Sequence, residues 1–177
     1  MKRFNLCSIV LASFGCLLFN NPVSAQNTMR ADLESFQEVP AVSSPASGQF
    51  RAKVIKNTTI EYTLSYKGLE DDATQSHIHI GQRSVNGGIV VFLCQIKLGP
   101  SPDPTGLAPE CPAREGTVTG TLTSANLAPN AGAKGQGIEG ATAENFAELL
   151  KAIREDVAYV NVHTTKFGSG EIRGQIK

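Results

Sequence analysis

Apolar and polar residues alternate with a period of two along most of this chain, the mark of strands that bury one face. In TTIEYTLSY (58 to 66), Ile60, Tyr62, Leu64 and Tyr66 share one face while Glu61, Thr63 and Ser65 take the other. GQFRAKVI (48 to 55) sets Phe50, Ala52 and Val54 against Arg51 and Lys53, and Lys56-Asn57 supplies turn chemistry between the two runs, so the pair reads as a β-hairpin. Further strands are predicted at ADLESF (31 to 36), QSHIHIG (75 to 81), IVVFLC (89 to 94), GTVTGTLT (116 to 123), AYVNVHT (158 to 164) and EIRGQI (171 to 176). About eight short strands separated by Gly- and Asn-rich turns imply an all-β antiparallel Greek-key sandwich or barrel.

One segment breaks the period. In AENFAELLKAIRED (143 to 156), Phe146, Leu149, Leu150 and Ile153 fall at helical spacing, and Thr142 can cap the helix at its start. IVVFL is apolar on both faces, so its outer side needs a cover, and this helix is the natural candidate. The Gly-rich NAGAKGQGIEG (130 to 140) lacks the Lys-Ser/Thr ending of a phosphate loop and reads as a flexible connection.

The first 25 residues change the picture of where the chain works. Lys2 and Arg3, an apolar run from Phe4 to Phe19 and Val23-Ser24-Ala25 have the layout of a cleaved export signal, leaving residues 26 to 177 as one domain. Its apolar run is too short and too interrupted for a membrane span. Removing it takes away two of 16 basic residues, against 16 acidic ones, so no excess of positive charge attracts nucleic acid or an anionic membrane. Cys7 and Cys16 leave with the signal, and in an oxidising periplasmic or extracellular compartment Cys94 and Cys111 should pair. The stretch they enclose, QIKLGPSPDPTGLAPE, is rich in proline and can form neither helix nor interior strand.

The candidate chemistry lies in the three histidines. Alternation puts Ile78 and Ile80 on the face opposite His77 and His79, and Val160 and Val162 opposite Tyr159, Asn161 and His163. Since the aliphatic residues need the core, the imidazoles point away from it, outward or under a covering loop. Two readings follow. They can belong to a solvated polar face, or they can converge on copper or zinc as three ligands with a fourth position open, with Glu171 as a possible extra carboxylate. Glu171 and Arg173, at i and i+2, would share an outward face with Asn161. The run Glu70-Asp71-Asp72 could bind a cation or form a solvated turn. No Ser sits in a G-x-S-x-G elbow, and no histidine is singled out as a base.

Taken in order, L-x-x-x-Q-E-V-P (Leu33 to Pro40), S-G-Q-F, H-I-H-I-G, N-G-G-I-V-V-F-L, Y-V-N-V-H-T and G-E-I-R-G-Q-I resemble the CHRD domain, the repeated module of the secreted animal protein chordin. The resemblance runs from about Ala31 to Lys177 and implies an extracellular or envelope all-β module, for which the expected partner is a protein, glycan or matrix component. It implies little about chemistry. The segment from Cys94 to Cys111 departs from the pattern as an insertion. The expected function is therefore a non-enzymatic binding module whose exposed face carries His77, His79, Asn161, His163, Glu171 and Arg173, and the alternative is a copper or zinc protein built on the three histidines.

Overall fold

A computed structural model describes residues 27–97, 102–129, 135–138 and 140–177; the segment expected to be an export signal, with Cys7 and Cys16, lies outside the described residues. Among the described residues the strands are β1 (Thr28–Glu34), β2 (Ser47–Ile55), β3 (Thr59–Lys67), β4 (Ala73–Ile80), β5 (Gly88–Gln95), β6 (Gly116–Leu122), β7 (Ala158–Thr164) and β8 (Ile172–Gln175), with one α-helix, α1 (Ala143–Arg154), between β6 and β7. They form a single sheet in the order β5-β4-β7-β8-β1-β2-β3-β6. Every neighbouring pair is antiparallel. The outer strand β5 is bridged through Val91 to Leu127, a few residues beyond the other outer strand β6, so the sheet curls into a nearly closed barrel. The expected all-β architecture of eight strands with one helix is present.

Alternation fills the barrel as predicted. Phe50, Val54, Ile60, Tyr62, Leu64, Tyr66, Ile78, Val118, Val160, Val162 and Ile172 belong to one buried cluster. Tyr62 shows how the seam is closed: its hydroxyl donates to the Leu93 carbonyl on β5, while its ring lies over Gly120 on β6, where any Cβ would collide with it. A larger residue at 120 would force that ring off its partner.

The helix forms where its stripe requires, with the Thr142 side chain accepting from Asn145 N–H and with Phe146, Leu149, Leu150 and Ile153 buried. Its main contacts are with β7 and the short 3-10 turn Ser124–Asn126, and Arg154 reaches Asn57 in the β2–β3 turn. The helix therefore sits at that end of the barrel. On β5 the Phe92 side chain packs edge-on against the His77 ring of β4, with centroids 4.4 Å apart, and the main contacts of α1 lie elsewhere, which departs from the expectation that α1 covers this strand.

Cys94 and Cys111 form the expected disulfide across 17 positions. On the chain-entropy account, closing a loop of this length stabilises by about 3 kcal/mol. The Pro-rich loop is also organised by the buried Asp103 carboxylate, which accepts from the N–H groups of Thr105, Leu107 and Ala108. This supplies the backbone satisfaction that no strand can give it.

Candidate metal centre

Strands β4, β7 and β8 are buried along both faces. The inner face meets the barrel core. The outer face carries His77, His79, Tyr159, Asn161, His163 and Arg173, and three loops lie over it. Gly87 of the β4–β5 connection accepts from His79, Gly168 of the β7–β8 turn accepts from His163, and the Gln37–Pro40 segment is tied in by Asn86, whose side-chain amide donates to the Val39 carbonyl. A polar layer is thus enclosed outside the barrel wall. Exposures of 0%, 6% and 7% for His77, His79 and His163 remove the solvated-face reading.

The ladder explains why residues 80 positions apart meet. Asn161 is paired with His77, Tyr159 with His79, and Gln75 with His163, so His77, His79, Asn161 and His163 form a compact patch across two strands. One ring nitrogen from each histidine lies within 4.8 Å of the other two. His77 Nδ1 and His163 Nε2 are 3.2 Å apart. Ligands at 2.0–2.1 Å in a tetrahedral site are separated by about 3.3 Å, so one pair already has that spacing and the third nitrogen lies within 4.8 Å of both.

Hydrogen bonds set the tautomers. Gly87 and Gly168 offer carbonyl oxygens, so His79 Nδ1 and His163 Nδ1 are N–H donors, at 3.1 and 3.0 Å. Each neutral ring then presents its Nε2 lone pair. Metal-ligating histidines characteristically donate their other N–H to a carbonyl in this way. His77 Nε2 is buried without a hydrogen-bond partner.

Burial holds the rings neutral. His77 is pushed well below the ordinary histidine range by burial and by its two histidine neighbours, His79 falls to about 4 chiefly through burial, and His163 moves the same way for the same reason. Neutral imidazole is the form that binds metal. Stability should follow: as pH falls below about 6.5 the unfolded chain takes up protons that the folded chain refuses, so stability present above that pH is lost on acidification, by on the order of 3 kcal/mol for His79 alone. Glu38 acts oppositely. Burial raises it to about 7, partly offset by Arg173, so its contribution is present below about pH 4.5 and lost as pH rises through 7. Urea titrations of chelator-treated protein across pH 4 to 8 are expected to show both limbs, with Glu38→Gln flattening the upper one.

The remaining predicted site residues are placed differently from the exposed face expected of them. Asn161, Glu171 and Arg173 are 3%, 0% and 2% exposed. Glu171 is not among the side chains that converge with the rings: its carboxylate accepts from Ser44 Oγ, Glu70 N–H and Thr164 Oγ1. It precedes β8, so strand alternation does not govern it. Arg173 makes no ion pair with Glu171. It stacks 3.4 Å over the Tyr159 ring, which itself stacks on His79 with centroids 4.6 Å apart. Its guanidinium donates to Gln82 and Val85 carbonyls and to Asn86 Oδ1, holding the loop whose Gly87 carbonyl orients His79. Asp71 and Asp72 pair with Arg114, and Glu70 with Lys166, so the acidic run is a salt-bridged turn.

Glu38 is the residue that pattern reasoning missed. It is buried beside Gly170, whose φ of 123° and missing Cβ make room for the carboxylate. Its signal was the Q-E-V-P string itself, which carries no periodicity.

Comparison with known families decides the wider relationship: the CHRD domain pattern matches residues 29–176. The chain belongs to the CHRD family. Comparison with curated proteins and with solved structures found no match. The CHRD match takes in every residue of the histidine patch and the Q-E-V-P segment that lies over it. The disulfide-bearing insertion also falls within it.

Proposed function

We propose that this CHRD domain is an exported, non-enzymatic binding module that holds one copper or zinc ion between His77, His79 and His163. The observation that carries the reading is the convergence of three neutral, buried imidazoles, two of them oriented by Nδ1–H donation to backbone carbonyls. Three buried rings in contact are otherwise an expensive way to fill space, since their polar atoms lose water. A metal ion repays that cost.

Bound metal would tie β4 to β7 and, through the carbonyls, to the loops above them. The partner, a protein, glycan or matrix component, then meets loops whose shape the ion sets. Phe36 and Val85, 73% and 48% exposed, stand on two of the segments that cover the histidines and are the apolar side chains such a partner would reach. An oxidising compartment suits the disulfide. No helix among the described residues is long and apolar enough to cross a membrane.

Metal analysis of protein purified without a histidine tag tests the reading. One equivalent of copper or zinc after loading and desalting is expected in the native chain, and none in a folded His77→Ala/His79→Ala/His163→Ala variant. A native chain that retains no metal at neutral pH would sink it.

A further inference from the structure

Three histidines leave one position of a tetrahedral ion unassigned, and the patch contains a fourth donor. Asn161 Oδ1 lies 3.0 Å from His79 Nε2. The proton count at that contact does not close. His79 Nδ1 must carry a proton because it faces the Gly87 carbonyl, so the neutral ring turns a lone pair, not an N–H, toward Asn161.

Rotating the amide by half a turn would present its NH2 to the ring, but Glu38 opposes that. In the structure the Asn161 oxygen faces His79 Nε2, and its Nδ2 lies on the side of Gly170, where the Glu38 carboxyl group also sits. Gly170 keeps the two side chains together, since a Cβ there would collide with Glu38 Oε1 and lie 3.0 Å from Asn161 Nδ2. The result is two acceptors facing each other in a buried site, an arrangement that a cation between them turns from repulsive to favourable. The spacings agree: 3.0 Å for Asn161 with His79 and 3.2 Å for His77 with His163 both approach the edge of a small tetrahedron.

Resting on the metal reading above, we propose that the carboxamide oxygen of Asn161 is the fourth ligand of the ion and that Glu38 is the residue that turns it there. The ligand set is then three imidazole nitrogens and one amide oxygen. Such a set suits a borderline divalent ion such as zinc or copper(II) and not copper(I), which favours sulfur. It is also closed. Sites that keep an open position bind water or substrate, whereas filled four-coordinate sites hold structure together. The Q-E-V-P and Y-V-N-V-H-T strings, far apart in sequence, thereby serve one centre.

Cobalt(II)-loaded and zinc-loaded full-length protein test this. Asn161→Ala is expected to weaken zinc roughly 10- to 100-fold in a chelator competition. Its cobalt spectrum should change on adding azide, which enters the opened position, while the native spectrum should not. Asn161→Asp, which keeps an oxygen in place, should restore an azide-insensitive spectrum, and it serves as the variant of record where the alanine protein does not fold. Glu38→Gln should weaken zinc while leaving the three imidazoles in the spectrum. Native-like affinity and azide insensitivity in Asn161→Ala would overturn the assignment while the three-histidine site stands, as would an azide-sensitive Asn161→Asp. A native chain that binds neither zinc nor cobalt would overturn both.

Discussion

Arg173→Ala is expected to lower stability by about 4 kcal/mol, measured by urea unfolding, and to loosen the histidine patch although the Arg173 side chain hydrogen-bonds the loop above the rings and none of the three histidines. The estimate sums a stacked, desolvated cation worth about 2 kcal/mol with carbonyl acceptors left dry at 1 kcal/mol or more each. The side chain is 2% exposed, lies 3.4 Å over Tyr159 and donates to Gln82, Val85 and Asn86. Removing it frees the loop that supplies the Gly87 carbonyl and takes away the backing of the ring stacked on His79. Arg173→Lys should recover little, because an ammonium can neither stack as a plane nor reach three acceptors in a fork. Native-like stability in the alanine variant would mean that the loop over the histidines is held by something else.

Zinc is expected to raise the melting temperature of the native chain strongly. An ion present at 1,000 times its Kd stabilises by about 4 kcal/mol. For a domain of this size that corresponds to roughly 8–16 °C. The rise should vanish in the triple histidine variant, and it should shrink only as pH nears 4, because burial holds His79 at about 4 and the other two rings below the ordinary histidine range. Magnesium, which prefers oxygen ligands in octahedral geometry, should have no effect.

What the sequence revealed and what it concealed divide along a physical line. Strands such as Thr59–Lys67 and Ala158–Thr164 were legible because one face meets the core and alternation records it locally. The helix and its Thr142 cap were legible for the same reason. The direction of the histidines also followed from alternation, since Ile78 and Val162 had to face inward, and both are fully buried in the core. The pairing of β4 with β7 is a contact between segments 80 residues apart, and nothing local encodes it. Nor does anything local announce a second buried layer. The loops that cover the outer face, around Glu38, Gln82–Gly87 and Phe167–Gly170, are made of turn residues without period, so a polar outer face read as a wet one. Glu171 misled because it sits one residue before its strand begins, where side-chain direction is set by the Ser44, Glu70 and Thr164 contacts and not by the pleat.

Diffraction from zinc-soaked crystals, collected on both sides of the zinc absorption edge, addresses the central claim with least intervening inference. A single anomalous peak bounded by one nitrogen from each of His77, His79 and His163, at about 2.0–2.1 Å, is the predicted result. A map with no peak among the three rings, or with zinc only on surface carboxylates, would contradict it.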